Sequence, residues 1–385
     1  MSIFRFQAPL LVFLCLLPTV QDQPSDYHSI YSKESRYESV LNSIYDYDLA
    51  AAGRVVDSLI NENPRDPKPY FFMVLVRWWY YIGDLNSQSF KASLLESAEK
   101  VIEIGKERIA ANGRDAEAQF YLGAGYGYLA RYYVFTSSWL NAYFYGKKAK
   151  NIFVDLLDEN DTLYDANLAV GTYNYYADKL PGLLKIFAFI VGLGGDRQLG
   201  LNQLRLAADS GSYSRVEALS LLGYIDLALE GNFKEAVAIF SRLSAEHKSN
   251  PVFRSLLSSS YRKSGDYEKA ISTCRELLDD GSIRYVSVNQ VAGLHADLAY
   301  SYMLARDYAR AIPEFKMCDS LAAGDYMKES PWVYYNTAFC EESERNYSKA
   351  LEYYHKVLDC QDYFDYHSLA RKSIERIRNA QDVGN

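Results

Sequence analysis

Hydrophobic and small residues recur in the second half of the chain with the period of paired helices, not of strands. Four segments combine a turn with an alanine five positions on: Gly231-Asn232-Phe233-Lys234-Glu235-Ala236, Gly265-Asp266-Tyr267-Glu268-Lys269-Ala270, Arg306-Asp307-Tyr308-Ala309-Arg310-Ala311 and Arg345-Asn346-Tyr347-Ser348-Lys349-Ala350. The alanines lie 34, 41 and 39 residues apart, and four residues after each stands Phe240, Cys274, Phe315 or Tyr354. Residues four apart share a helix face, so each segment predicts a helix that carries alanine where a neighbour comes close. Three helix starts are written as a capping residue followed by proline: Asp66-Pro67, Asn250-Pro251 and Ser330-Pro331. There a side-chain oxygen accepts from the first-turn amides, and proline loses nothing because its missing N–H would have been unpaired. Upstream, Asp48 through Ala52, Val56 and Leu59 to Asn63-Pro64 predicts another helix, with Ala52 at a close approach and Pro64 as its stop.

This pattern resembles the tetratricopeptide repeat, in which each repeat is a pair of helices. Tyr121-Leu122-Gly123-Ala124-Gly125-Tyr126 is similar to the Leu-Gly-x-x-Tyr core of a first helix, with the following helix displaced by an insertion around Tyr132 to Asn141. The expected fold is all-α: a superhelical solenoid of tetratricopeptide-like helix pairs with a central apolar insertion. Its expected divisions are a signal peptide at 1–20, a polar linker at 21–38, N-terminal helical repeats at 39–164, a central insertion block at 165–216 and C-terminal repeats at 217–380.

The central block departs from the repeat pattern. It reads Gly171-Thr172-Tyr173-Asn174, then Leu180-Pro181, an apolar run, and Gly195-Asp196-Arg197-x-x-Gly200-Leu201-x-x-Leu204. These residues, with the apolar helix at Leu219 to Leu227, resemble the middle of the inclusion-body-clearance family of tetratricopeptide-like proteins. That resemblance implies a helical protein with no recognised catalytic residues and an association with membranes and lipid bodies. Leu180 to Leu193 carries Lys185 as its only charge and is too short to span a bilayer. Its apolar residues surround the helix, so Phe187 and Ile190 are either core or a membrane or partner contact.

Composition narrows the function. A formal charge of −8 gives no basic footprint, which excludes nucleic acid as the expected partner. The chain has 35 Tyr against 18 Phe, a ratio that favours half-wet helix faces and grooves because each buried hydroxyl needs a partner. At the N-terminus, Arg5 precedes an uncharged stretch from Ala8 to Val20, as in an export signal, and is followed by no small-x-small triplet. Cleaved and retained forms both stay open, with a periplasmic or envelope location in a bacterium and the secretory pathway otherwise. The histidines show no metal-ligand spacing, Gly192 to Gly195 lacks the Lys-Ser/Thr of a phosphate loop, and no nucleophile turn occurs. Neither a metal, a cofactor nor an enzyme activity is expected. Cys318 and Cys340 fall on neighbouring helices, where a disulfide and two buried thiols both remain open.

The functional surface of such a solenoid is the concave wall made by the first helices. Counting along the repeats places Phe71, Trp78, Phe120, Tyr128, Tyr300, Trp332, Tyr335 and Phe339 on that wall. As a set they predict an aromatic groove for an extended peptide or protein partner, and hence an exported, non-enzymatic scaffold. The alternative is a lipid- or membrane-contacting protein that uses 180–193.

Overall fold

A computed structural model describes residues 27–30, 35–180, 194–279, 281, 283, 286–322, 330–362 and 364–383, and these form helices without a strand. A short α1 (Tyr27–Ile30) precedes α2 (Ser35–Tyr45), α3 (Leu49–Glu62), α4 (Pro67–Gly83), α5 (Gln88–Ala111), α6 (Ala116–Phe135), α7 (Trp139–Glu159) and α8 (Ala166–Asp178). Then come α9 (Arg197–Ser210), α10 (Arg215–Ile225) with a π turn at Asp226–Glu230, α11 (Phe233–Glu246), α12 (Pro251–Ser264) and α13 (Tyr267–Asp279). The series ends with α14 (Val288–Leu304), α15 (Tyr308–Leu321), α16 (Pro331–Ser343), α17 (Tyr347–Asp359) and α18 (Tyr366–Val383). From α2 onwards each helix packs on the next, giving pairs from α2–α3 to α16–α17 with α18 at the end, while α1 packs on α6. First helices also touch across the helix between them, α2 with α4, α4 with α6 and α16 with α18, so the inner wall is made of first helices. The tetratricopeptide-like solenoid expected from the sequence is the fold.

The local signals act as predicted. All three proline starts open a helix; Asp66 accepts from the Lys68 amide and Asn250 from those of Val252 and Phe253, while Ser330 caps without a side-chain bond. Ala236, Ala270, Ala311 and Ala350 are fully buried, and so are Phe240, Cys274, Phe315 and Tyr354 one turn on. The turns before these helices need a left-handed residue, with φ of 72° at Gly231, 88° at Gly265, 63° at Arg306 and 64° at Arg345. Two repeats supply glycine there and two force arginine into a region that L-residues enter only at a cost.

Three expectations change. The block 165–216 is not wedged between repeats: α8 and α9 pack as a pair within the stack. The reason is its glycines. A Cβ on Gly200 would lie 2.7 Å from the Gly171 carbonyl oxygen, one on Gly171 2.8 Å from that of Gly200, and one on Gly195 2.2 Å from that of Asn174. The motif behind the family resemblance is thus a backbone-to-backbone contact, locked by a hydrogen bond of 2.7 Å from Asn174 Nδ2 to Gln203 Oε1. The apolar insertion itself, 181–193, lies outside the described residues.

Tyr132 to Asn141 is not an insertion either, because α6 and α7 are long helices joined by a short turn. And the lead-in assigned to a polar linker is helical and docked where it is described. Buried Lys68 donates to the Ile30 carbonyl at 3.2 Å with its ammonium 4.4 Å from the Tyr37 ring, and the Tyr121 hydroxyl donates to the same carbonyl at 3.3 Å.

The core is continuous from Ile30 to Phe253, whereas Cys274 to Cys340 and Ala338 to Ile377 form two further clusters. Cys274, Cys318 and Cys340 are buried free thiols, so the disulfide left open above is not formed, and burial pushes all three up to about 12.

Two substitutions check these packing arguments by thermal or denaturant unfolding. Gly200→Ala should destabilise by about 1–3 kcal/mol because its methyl meets backbone that cannot rotate away. Arg345→Gly should stabilise by up to about 1 kcal/mol by relieving the left-handed strain. A Gly200→Ala protein as stable as the parent would disprove the close α8–α9 contact.

Candidate functional site

In the N-terminal half the inner wall does not face solvent, because the coil closes on itself. The fifth and sixth pairs lie across the first helices of the earlier ones. The Trp79 ring meets Phe253 edge-on at 5.3 Å and its Nε1 donates to Glu217 at 3.0 Å. The Phe72 ring meets Tyr213 at 5.5 Å, and Asn250 Nδ2 donates to the Tyr45 carbonyl at 2.9 Å. Farther along, the Ser287 amide donates to the Gly83 carbonyl at 2.9 Å, and Gln290 to that of Ile82.

Half of the predicted groove is taken up by packing between neighbouring helices. Phe71, Trp78, Phe120 and Tyr128 are buried, and their rings pack on one another and on Tyr121, Phe135 and Phe153. They are core residues because their rings fill the space between the neighbouring helices α4, α6 and α7, whereas the rings that meet the helices across the coil are Phe72 and Trp79. Arg131 lies 4.2 Å from the Trp78 ring and pairs with Glu217, and burial first, then Glu217, pushes the Tyr128 phenol far above its ordinary range.

The other half of the wall, on α14, α16 and α18, stays open. Tyr300, Trp332 and Tyr335 are half-buried and Phe339 is exposed. The Tyr300 and Trp332 rings stack at 5.8 Å with 16° between planes, and Tyr335 bridges Tyr354 and Tyr366 at 5.5 Å to each. Phe339 leans away onto Tyr308, 5.9 Å distant on α15, so it borders the wall and is not part of the ring ladder. Beside the ladder, Arg262 pairs with Asp297 at 2.7 Å, and the Ser259 hydroxyl donates to the same carboxylate.

Asn336, which the periodicity did not single out, is the polar centre of this wall. Its Nδ2 donates to the Tyr300 hydroxyl at 2.9 Å and to the Trp332 carbonyl at 2.7 Å. Both amide hydrogens are engaged, which leaves Oδ1 as an acceptor. Tyr300 accepts through its oxygen and keeps its own proton, since burial, then Tyr366, raises its phenol well above the usual value. A hydrogen-bond donor and an acceptor therefore stand side by side between aromatic rings. The signal available in the sequence was its place one turn after Trp332 and one before Cys340, a polar residue in an otherwise apolar-to-aromatic row.

Phe187 and Ile190 lie outside the described residues, but the frame that flanks them is described. Lys179 and Arg197, on either side of the apolar segment, both pair with Glu230, which also accepts from the Tyr175 hydroxyl at 2.6 Å. The Arg197 hydrogen bond, opposed by burial and reinforced by Tyr175 and Lys179, holds the Glu230 carboxyl down at about 2. With the folded value below the ordinary 4.5, the stabilisation is complete above pH 4.5 and is lost as pH falls towards 2. Glu230→Gln should therefore lower the melting temperature at pH 7, with the difference from the parent closing between pH 4.5 and 2. A gap that stays constant across that range would show that the carboxylate charge contributes nothing.

Residues 254–281, covering most of α12 and α13, match the family model for the tetratricopeptide repeat. A search of curated proteins finds no match. Among solved structures, the chain is similar to Cut9–Hcn1 of the APC/C (14% identity, 91% of this chain and 64% of that one, TM-score 0.46). It is also similar to yeast Tom70 (11% identity, 88% and 87% covered, TM-score 0.39). A third is a tetratricopeptide repeat protein from Parabacteroides merdae (13% identity, 82% and 99% covered, TM-score 0.33). These likenesses are to the fold alone.

Proposed function

We propose that the chain is an exported, non-enzymatic scaffold whose open C-terminal wall holds an extended peptide segment of a protein partner. The observation that carries this reading is the Tyr300–Asn336 pair: a donor and an acceptor set side by side match the C=O and N–H of a peptide unit. The stacked Tyr300 and Trp332 rings on one side and the Tyr335–Tyr366 pair on the other offer apolar faces to the peptide's side chains. Beside the wall Arg262 is paired with Asp297, and the formal charge of −8 offers no basic footprint for nucleic acid.

Peptide-library selection on the full chain, followed by affinity measurement, tests the wall. Asn336→Leu and Trp332→Ala should each weaken a selected peptide by roughly tenfold or more, the equivalent of about 1.4 kcal/mol, in proteins whose circular dichroism remains that of the folded parent. Equal affinity in both variants would move the binding site elsewhere.

Export rests on the uncharged stretch Ala8 to Val20 behind Arg5. Alkaline phosphatase fused after residue 38 should be active in a bacterial host and inactive when Leu11 and Leu14 are changed to Arg. An active fusion in the arginine variant would remove that support.

A further inference from the structure

The end of the α6–α7 hairpin carries exposed apolar side chains, of which Phe135 also meets Trp78 edge-on. Leu140 is 72% exposed, Phe144 62%, Phe135 47% and Trp139 39%. Phe135 is the last residue of α6, and the other three fall in the first two turns of α7. Leu140 and Phe144 are four apart and so share a face, opposite the buried Ala142, Ala149 and Phe153 that hold α7 to its neighbours.

Along α7 the chemistry changes in order. After the apolar tip come Tyr143 and Tyr145, the second stacked on Tyr133 at 5.5 Å with 10° between planes. Then come Lys147, Lys148 and Lys150. Lys148 lies 5.2 Å from the Tyr126 ring and Lys150 4.9 Å from that of Tyr173, and among the described residues none of the three lysines is in an ion pair. From Ala118 to Val154 there is no Asp or Glu at all, in a chain whose formal charge is −8. The nearby carboxylates belong to α5, where Glu99, Glu103 and Glu107 share with Lys148 the lining of an open pocket of about 490 Å³, and to the far end of α7, at Asp155, Asp158 and Glu159.

We infer that this tip is a docking surface for an anionic lipid bilayer. Charge complementarity selects that occupant: the basic tip end of the hairpin, on an acidic protein, is drawn to a negative surface. The distances fit. At 1.5 Å rise per residue, Leu140 and Lys148 are about 12 Å apart along the axis. An apolar tip sunk roughly 5–10 Å into the boundary of headgroups and acyl chains therefore leaves the tyrosines at the interface and the ammonium groups among the phosphates. Lysine stems reach outwards to keep their charge in that layer. Among the described residues no helix is long and apolar enough to cross a membrane, so the contact is peripheral.

Vesicle sedimentation of the full chain tests this, with phosphatidylcholine alone and with about one third phosphatidylglycerol. The parent should partition onto the anionic vesicles, and Leu140→Ser/Phe144→Ser should reduce partitioning at least tenfold with unchanged melting, since both side chains are mostly exposed. Lys147→Glu/Lys148→Glu should reduce it comparably, and raised salt should weaken the parent. Fluorescence quenching by brominated lipid should be present in the parent and lost in Trp139→Phe, whose ring is the exposed indole at the tip. Failure of the parent to bind anionic vesicles overturns the inference. So does undiminished binding of the serine variant, which would place the contact on another surface, or a loss of self-association in that variant without any effect on vesicles, which would make the occupant a second copy of the chain.

Discussion

Glu217 is a carboxylate in the middle of the protein, 2% exposed, with one oxygen receiving Trp79 Nε1 at 3.0 Å and the other the Arg131 guanidinium. Those partners are 138 and 86 residues away, in the second and third helix pairs, while Glu217 sits in the fifth. A charge in such a place is costly unless it is paired and hydrogen-bonded, and losing one partner of a buried pair costs about 3–5 kcal/mol. The constraint is therefore geometric as well as energetic. A rotation of α10 by one residue, about 100°, would carry Glu217 away from both donors, so this contact fixes how tightly the coil winds. The cross-coil contacts of Phe253, Asn250 and Tyr213 all presuppose that winding.

Local features of the sequence predict local features of the structure well, for a physical reason. Caps, proline starts and the buried alanines act within one helix or between neighbours, which is where a solenoid keeps most of its contacts. Closure of the coil leaves no such trace. Nothing in the spacing of Trp78 and Trp79 says that the first ring will be buried against Tyr128 while the second reaches Glu217 across the interior. Tyr300, Trp332 and Tyr335 are half-buried on α14 and α16, in the half where neighbours alone decide exposure. Phe71, Trp78, Phe120 and Tyr128 instead face the neighbouring helices α4, α6 and α7, on a different side of the helix from Phe72 and Trp79. The glycines of 171–200 illustrate the same limit: their pattern was visible, but its meaning as a backbone contact depends on two helices meeting.

Many of the tyrosines lie on half-buried helix faces, as the composition suggested, and others serve the core. Tyr121, Tyr175 and Tyr354 are fully buried, and each hydroxyl has an internal acceptor: the Ile30 carbonyl, Glu230 and Glu342. Each ring fills core volume while its hydroxyl ties a helix to a distant carbonyl or carboxylate. Tyrosine serves a core that contains charges, as phenylalanine could not, because buried acceptors such as Glu230 need donors.

The division between closed and open halves bears on how the wall works. From Ile30 to Phe253 one core couples five and more pairs, whereas beyond it the apolar clusters are separate. Tyr300 and Trp332 pack on the second cluster, Tyr335 and Tyr366 on the third. The Asn336–Tyr300 hydrogen bond crosses from α16 to α14 and so spans neighbouring repeats in the part of the stack that shares least core. A ligand bonded to both groups would tie two repeats together, and its affinity would depend on how far the free wall already holds their spacing. Glu217, far from any exposed surface, helps set the winding of the closed half against which these repeats stack.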